Sequence, residues 1–167
     1  MLILIISFEG KVYYKTSAGT SYVTYVKGQN QIALEMEGMR TIIKGNKAYI
    51  IMDEQRTYME TDAKSQKQAH HTFSDYQKDF ELKKTGKTYT IAGYKCEEYF
   101  AKDKKTGYKS EVCFSKDIPL PLRTTFYIEG GRKETAEVYK IEKTTIDPKV
   151  FEVPKGYQKL DFNIPTR

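Results

Sequence analysis

Between Phe8 and Thr61 turn chemistry recurs at short intervals: Ser17-Ala18-Gly19-Thr20, Gly28-Gln29-Asn30, Gly38, Gly45-Asn46 and Asp53-Glu54-Gln55-Arg56. The segments between these turns show no helical periodicity. Phe8, Val12 and Tyr14 share one side of the first segment. In the third, Ile32, Leu34 and Met36 alternate with Ala33, Glu35 and Glu37, the period of a strand with one buried and one wet face. Closely spaced turns joining short alternating runs specify an antiparallel meander. Consecutive antiparallel strands pair with their neighbours, so this half is predicted to form one continuous curved sheet.

From Asp62 to Phe80 the period changes, and helix is expected mainly there. Ala69, Phe73, Tyr76 and Phe80 recur at intervals of four, three and four, which places them on one helical face. Thr61 or Asp62 can cap such a helix. The stripe is predicted to lie on the concave side of the sheet near Leu34, Met36 and Ile50, since only that face can cover it. It serves there as core or as a lid over an apolar cavity. His70 and His71 are adjacent, so on a helix they point about 100° apart and make a poor metal pair. No metal site and no cofactor are expected.

The second half is organised around a cysteine-bearing hairpin. A short strand from Lys87 to Ile91, a break at Ala92-Gly93, a long strand from Tyr94 to Lys102 and a return strand from Tyr108 to Ser115 carry Cys96 and Cys113 on the last two arms. If Lys102 pairs with Gly107, the cysteines face each other directly. If Asp103 pairs with Tyr108, they are diagonal neighbours on the same face. Both registers suit a disulfide between Cys96 and Cys113. Two free buried thiols are the alternative. A metal or redox pair would need CxxC spacing or further ligands, which the sequence lacks.

Asp117-Ile118-Pro119-Leu120-Pro121-Leu122 follows. Alternating prolines forbid a helix or a central strand, so the stretch reads as an extended crossover loop with exposed Ile and Leu, either a packed rim or a mobile gate. Packed rim is the expectation. Another hairpin turns at Gly130-Gly131. Asp147-Pro148 starts a single helical turn to Phe151. Glu152–Tyr157 ends the fold, with a polar tail beyond. The domain is thus expected to span residues 8–161, with 162–167 as tail. Met1–Ser7 is too short for a membrane-spanning helix. It reads either as an extra strand or as the tail of a signal-peptide apolar region, and the second is expected because clean alternation begins only at Phe8.

Composition bears on partners. The 167 residues carry a formal charge of +6 from 28 basic and 22 acidic side chains. Lysine dominates: the arginines are Arg40, Arg56, Arg123, Arg132 and Arg167. Base and phosphate readout relies on arginine forks, so nucleic acid is not an expected partner. Peripheral contact with an anionic membrane surface is compatible with the charge. Tyr and Phe are abundant and Trp is absent, which favours strands.

GKTYTIAGYKCEEY (Gly86–Tyr99) and TTIDPKVFEVPKGYQKL (Thr144–Leu160) resemble the matching stretches of a bacterial envelope family of unknown function. FEGKVYYKT and EMEGMRTIIKGNKAYIIMDEQRTYMETD fit the same pattern. That family in turn resembles the LolA/LolB periplasmic lipoprotein carriers. The resemblance implies a mainly β (α+β) fold: an open half-barrel with helix on its concave face and an apolar groove between. It also implies export to the periplasm or cell envelope.

No GxSxG, HExxH or phosphate-binding glycine loop is present. Glu97 and Glu98 are adjacent on a strand and point to opposite faces, so they cannot act as a pair. The expectation is a non-enzymatic binding protein holding a lipid or lipoprotein acyl chain. Ile32, Leu34, Met36, Ile50, Met52, Phe73, Tyr76 and Phe80 are the candidate groove lining, although all eight could equally be core. The alternative is an interaction scaffold for an envelope protein partner, using a free sheet edge and the proline-rich loop.

Overall fold

The computed structural model describes residues 8–28, 31–63 and 72–161. The expectations for Met1–Ser7, Ala69, His70, His71 and the 162–167 tail fall outside the described residues.

Six strands follow one another as the turn spacing requires: β1 (Glu9–Thr16), β2 (Ser21–Lys27), β3 (Gln31–Met36), β4 (Met39–Lys44), β5 (Lys47–Met52) and β6 (Thr57–Asp62). A short helix, α1 (Phe73–Asp79), leads to β7 (Phe80–Ile91), β8 (Tyr94–Asp103), β9 (Lys109–Phe114), β10 (Arg123–Tyr127) and β11 (Lys133–Lys143). A 3₁₀ turn (Pro148–Phe151) precedes β12 (Gln158–Lys159). Among the described residues twelve strands form one sheet in the order β12-β6-β5-β4-β3-β2-β1-β11-β10-β9-β8-β7.

The order shows two meanders joined by the antiparallel pair β1–β11. From β1 in mid-sheet the strands run outward to β6, resume at the far edge with β7, and meander back to place β11 beside β1. Were the sheet flat, β6 and β7 would lie roughly 50 Å apart at ~4.8 Å per strand. Residues 63–79, part of them wound into α1 at about 1.5 Å per residue, could barely span that distance. The sheet instead curves into an open half-barrel. At the seam, Gly10 is required because a Cβ there would lie 2.1 Å from the Glu142 carbonyl oxygen.

Register assigns the faces. Val12, Tyr14, Tyr22, Thr24, Val26, Ile32, Leu34 and Met36 share one side, called the inner face below; Tyr25, Ala33, Ile42 and Ile51 share the other. The outer side of β2–β6 is covered by the C-terminal segment, where Ile146 and Phe151 pack on Ala33, Ile42 and Ile51. The single turn at Asp147-Pro148 forms as predicted, with the Asp147 carboxylate accepting from the Lys149 amide at 3.0 Å.

Over β1–β3 and β11 the inner face is covered by the loop expected to be a packed rim with exposed Ile and Leu. Ile118 and Leu122 are fully buried and Leu120 nearly so. They pack with Val12, Tyr14, Val26, Ile32 and Val138. The prolines do impose an extended chain, but every second side chain then points to the same side, and here that side is the trough of the half-barrel. The Tyr14 hydroxyl donates to the Pro121 carbonyl at 2.9 Å, and the Phe73 amide donates to that of Pro119. The loop is therefore a plug, more deeply buried than a rim.

Other expectations are corrected at element ends. α1 is capped by Thr72, whose side chain and that of Asp75 bond reciprocally to each other's backbone amides, while Ala63 opens a helical turn directly after Asp62 whose continuation, with the cap expected from Thr61 or Asp62, lies outside the described residues. β7 reaches back to Phe80, with a bulge between Lys84 and Thr88, so the strand is longer than Lys87–Ile91. Gln158 and Lys159 do not end in a free tail but pair in parallel with Thr57 and Tyr58.

Cys96 and Cys113 form a disulfide, with Cα atoms 5.4 Å apart. The hairpin adopts the register pairing Lys102 with Lys109 and Glu98 with Cys113, so the cysteines are diagonal neighbours and direct opposition is ruled out. Asp103 sets this register. Its carboxylate accepts from the amides of Lys105 and Thr106, while its own amide donates to the Tyr108 carbonyl at 2.9 Å.

Candidate functional site

Once the plug has filled the middle of the trough, an apolar groove of about 310 Å³ remains toward one end. Leu34 and Met36 from β3 and Tyr22 from β2 form one wall; Phe126 from β10 and Ala136 from β11 form the other. β3 and β10 are separated by three strands in the sheet order, so their side chains line one groove only because the sheet curves. Glu134, Ser17 and Thr20 supply the polar lip.

Three phenols stand beside the groove. Tyr14 and Tyr22 stack with ring centroids 4.8 Å apart. Tyr76, reaching in from α1, is hydrogen-bonded to Thr124. Burial pushes the Tyr22 phenol up to about 12. Burial also raises Tyr14, reinforced by the neighbouring Tyr22 and Tyr76. Tyr76 is raised by burial too, in part offset by its bond to Thr124. All three are neutral at physiological pH and offer hydroxyl groups without charge.

The candidate lining residues separate into three sets. Leu34 and Met36 line the groove. Ile32 lies in the core with Val12, Val26 and the plug. Ile50 and Met52 share the inner face by register and are half-buried, away from the groove walls. Phe73 and Tyr76 of α1 and Phe80 at the start of β7 come together against Leu82, Tyr99, Ala101, Val112 and Phe114. Phe73 meets Phe114 edge-on at 4.8 Å. The helix thus sits over β7–β9 and does not lie against Leu34, Met36 and Ile50; its one reach toward the groove is Tyr76. Sequence reading missed Tyr22, Phe126 and Ala136. Tyr22 alternates with Thr24 and Val26 and could have been found by period, but Phe126 joins the wall only through curvature.

Among the described residues no cluster of three or more His, Cys, Asp or Glu side chains could hold a metal ion. Among them, too, no helix is long and apolar enough to cross a membrane.

A family model described as a domain of unknown function, DUF4412, matches residues 8–120. The chain belongs to the DUF4412 family. No curated protein matches it. Among solved structures, this DUF4412 chain is similar to an uncharacterized conserved protein from Thermus thermophilus, with TM-score 0.65 and 14% identity, covering 93% of this chain and 91% of that one. It is also similar to a chain in the Pseudomonas aeruginosa MucA/MucB complex, with TM-score 0.54 and 11% identity, covering 89% of this chain and 56% of that one. A LolA superfamily protein from Nitrosomonas europaea matches at TM-score 0.45 and 11% identity, over 89% of this chain and 90% of that one. The fold is the open half-barrel of curved antiparallel sheet that the family resemblance implied.

Proposed function

We propose that this DUF4412 protein is a non-enzymatic, exported envelope protein that binds a single apolar chain, a lipid tail or acyl group, in the inner-face groove. The observation that carries this reading is the groove itself. Leu34, Met36, Tyr22, Phe126 and Ala136 leave about 310 Å³ open on the inner face. That volume lies at the small end of ligand pockets, which are mostly apolar with a few polar groups at the mouth. Methionine lets such a wall adapt to unlike chains. The Cys96–Cys113 disulfide supports an oxidising compartment such as the periplasm.

The test is titration with a fluorescent fatty acid. Wild type should saturate, and Ala136→Phe, which fills the groove from a half-buried position, should weaken uptake by roughly tenfold or more through lost apolar burial. Its urea midpoint should stay close to that of wild type. Absence of uptake by wild type would end the ligand reading and leave an interaction scaffold. The buried plug removes the proline-rich loop from that alternative, leaving the sheet edges and the outer face as surfaces for a protein partner.

A further inference from the structure

The outer side of β7–β10 carries a second surface, independent of the groove. Where β8 and β9 turn and β10 ends lies a broad open depression of about 1070 Å³. Phe100, Tyr108 and Tyr127 line it and are 51%, 72% and 40% exposed. Its charged lining residues are Lys83, Lys102 and Lys109 against Glu81. By register, Glu81, Lys83, Phe100, Lys102 and Lys109 share the face opposite α1. The adjoining turns add Lys105 and Arg132, with Ile128 also exposed, while the Lys104 ammonium turns to the other side and donates to the Lys78 carbonyl of α1.

Two of the nearby carboxylates are engaged within the fold, and Glu81 and Glu129 are exposed at this end. Asp103 holds the turn amides of Lys105 and Thr106, and Glu111 accepts a hydrogen bond from the Tyr127 phenol. Lys133 stands over the Tyr127 ring, 5.4 Å from its centroid. The result is an end of the molecule where aromatic rings protrude among lysines.

We propose that this end docks on the surface of an anionic lipid bilayer. Charge complementarity identifies the occupant. The cations are almost all lysines on flexible stems, which act as point charges and lack the planar fork that reads a shaped carboxylate or phosphate site. They suit a fluid layer of headgroups, whose negative potential each lysine near the surface samples. Amphipathic rings such as Tyr108 and Tyr127 favour the depth where one end is apolar and the other wet. Successive residues of β10 divide the tasks: Phe126 faces the groove and Tyr127 the docking surface. A docked molecule would therefore hold its groove wall next to the bilayer.

The chain has no tryptophan, so Tyr108→Trp introduces a single reporter. With vesicles of phosphatidylcholine and phosphatidylglycerol its emission should shift to the blue and the protein should co-float. Pure phosphatidylcholine and high salt should both abolish most of the effect. Lys102→Glu/Lys105→Glu/Lys109→Glu should weaken vesicle partitioning by about tenfold or more. Tyr139→Trp, on an exposed β11 position away from this end, should bind as well but shift little. Ala136→Phe should float like wild type, so failure of the groove and failure of the docking surface are told apart. No flotation, partitioning indifferent to charge reversal, or an equal shift with soluble polyglutamate would each overturn the proposal, the last in favour of an acidic polypeptide partner.

Discussion

Leu122 shows how one residue decides what the inner face is for. Its side chain is fully buried, its amide donates to the Cys113 carbonyl and its carbonyl accepts from the Val138 amide, both at 2.8 Å. It therefore ties β9 to β11 where β10 begins and fills the trough at the same point. Leu122→Ala should lower stability by about 2–5 kcal/mol, the usual range for truncating a buried leucine, with the spread set by how far the site collapses. Urea melts of the two proteins measure it, and a loss under about 1 kcal/mol would mean that the loop does not plug the trough. The sequence Ile-Pro-Leu-Pro-Leu identifies an extended chain correctly. Its depth of burial is not legible there, because an extended segment presents alternate side chains to one surface whether or not that surface is the trough.

At the scale of elements, the β8–β9 hairpin depends on a local and a tertiary link. Asp103 seeds the turn, and the disulfide then joins residues separated by 17 positions. Closing a loop of that size removes unfolded-state freedom worth about 3 kcal/mol. Cys96→Ser/Cys113→Ser should therefore lose about that much in urea melts. An oxidised protein no more stable than its reduced form would show that the bridge adds nothing to an already specified hairpin. The helix stripe was legible from its period, yet its docking site was not. Both faces of the curved sheet offer apolar rows, and which row α1 meets follows from β7 continuing directly from its last residue, so α1 comes down on β7–β9.

For the molecule as a whole, the buried and half-buried phenols make the fold sensitive to alkali. Tyr22 and Tyr25 are both pushed up to about 12, chiefly by burial, and Tyr14 is raised as well. In the unfolded chain these groups titrate near 10. Above that pH the unfolded state sheds protons that the folded state retains, so stability is fully present below about pH 10 and falls as pH climbs toward 12. Titration followed by tyrosinate absorbance and circular dichroism should show the buried tyrosines ionising together with unfolding. Their smooth ionisation near pH 10 with the fold intact would contradict this placement.

The sequence alone determined the properties that depend on neighbours along the chain. Alternation and turn residues specified the strands, the Asp147-Pro148 turn and the shared face of the two cysteines, because each is a matter of backbone period and local hydrogen bonding. Tertiary structure decided what depends on closure. The parallel return of β12, the burial of Ile118, Leu120 and Leu122, and the meeting of Leu34 and Met36 with Phe126 all require residues far apart in sequence to face one another across a bent sheet. Curvature sums small twists over twelve strands and is set by the pairing of β1 with β11 and by the span between β6 and β7. No local stretch of sequence carries that quantity, which is why the groove could be anticipated in kind but not located residue by residue.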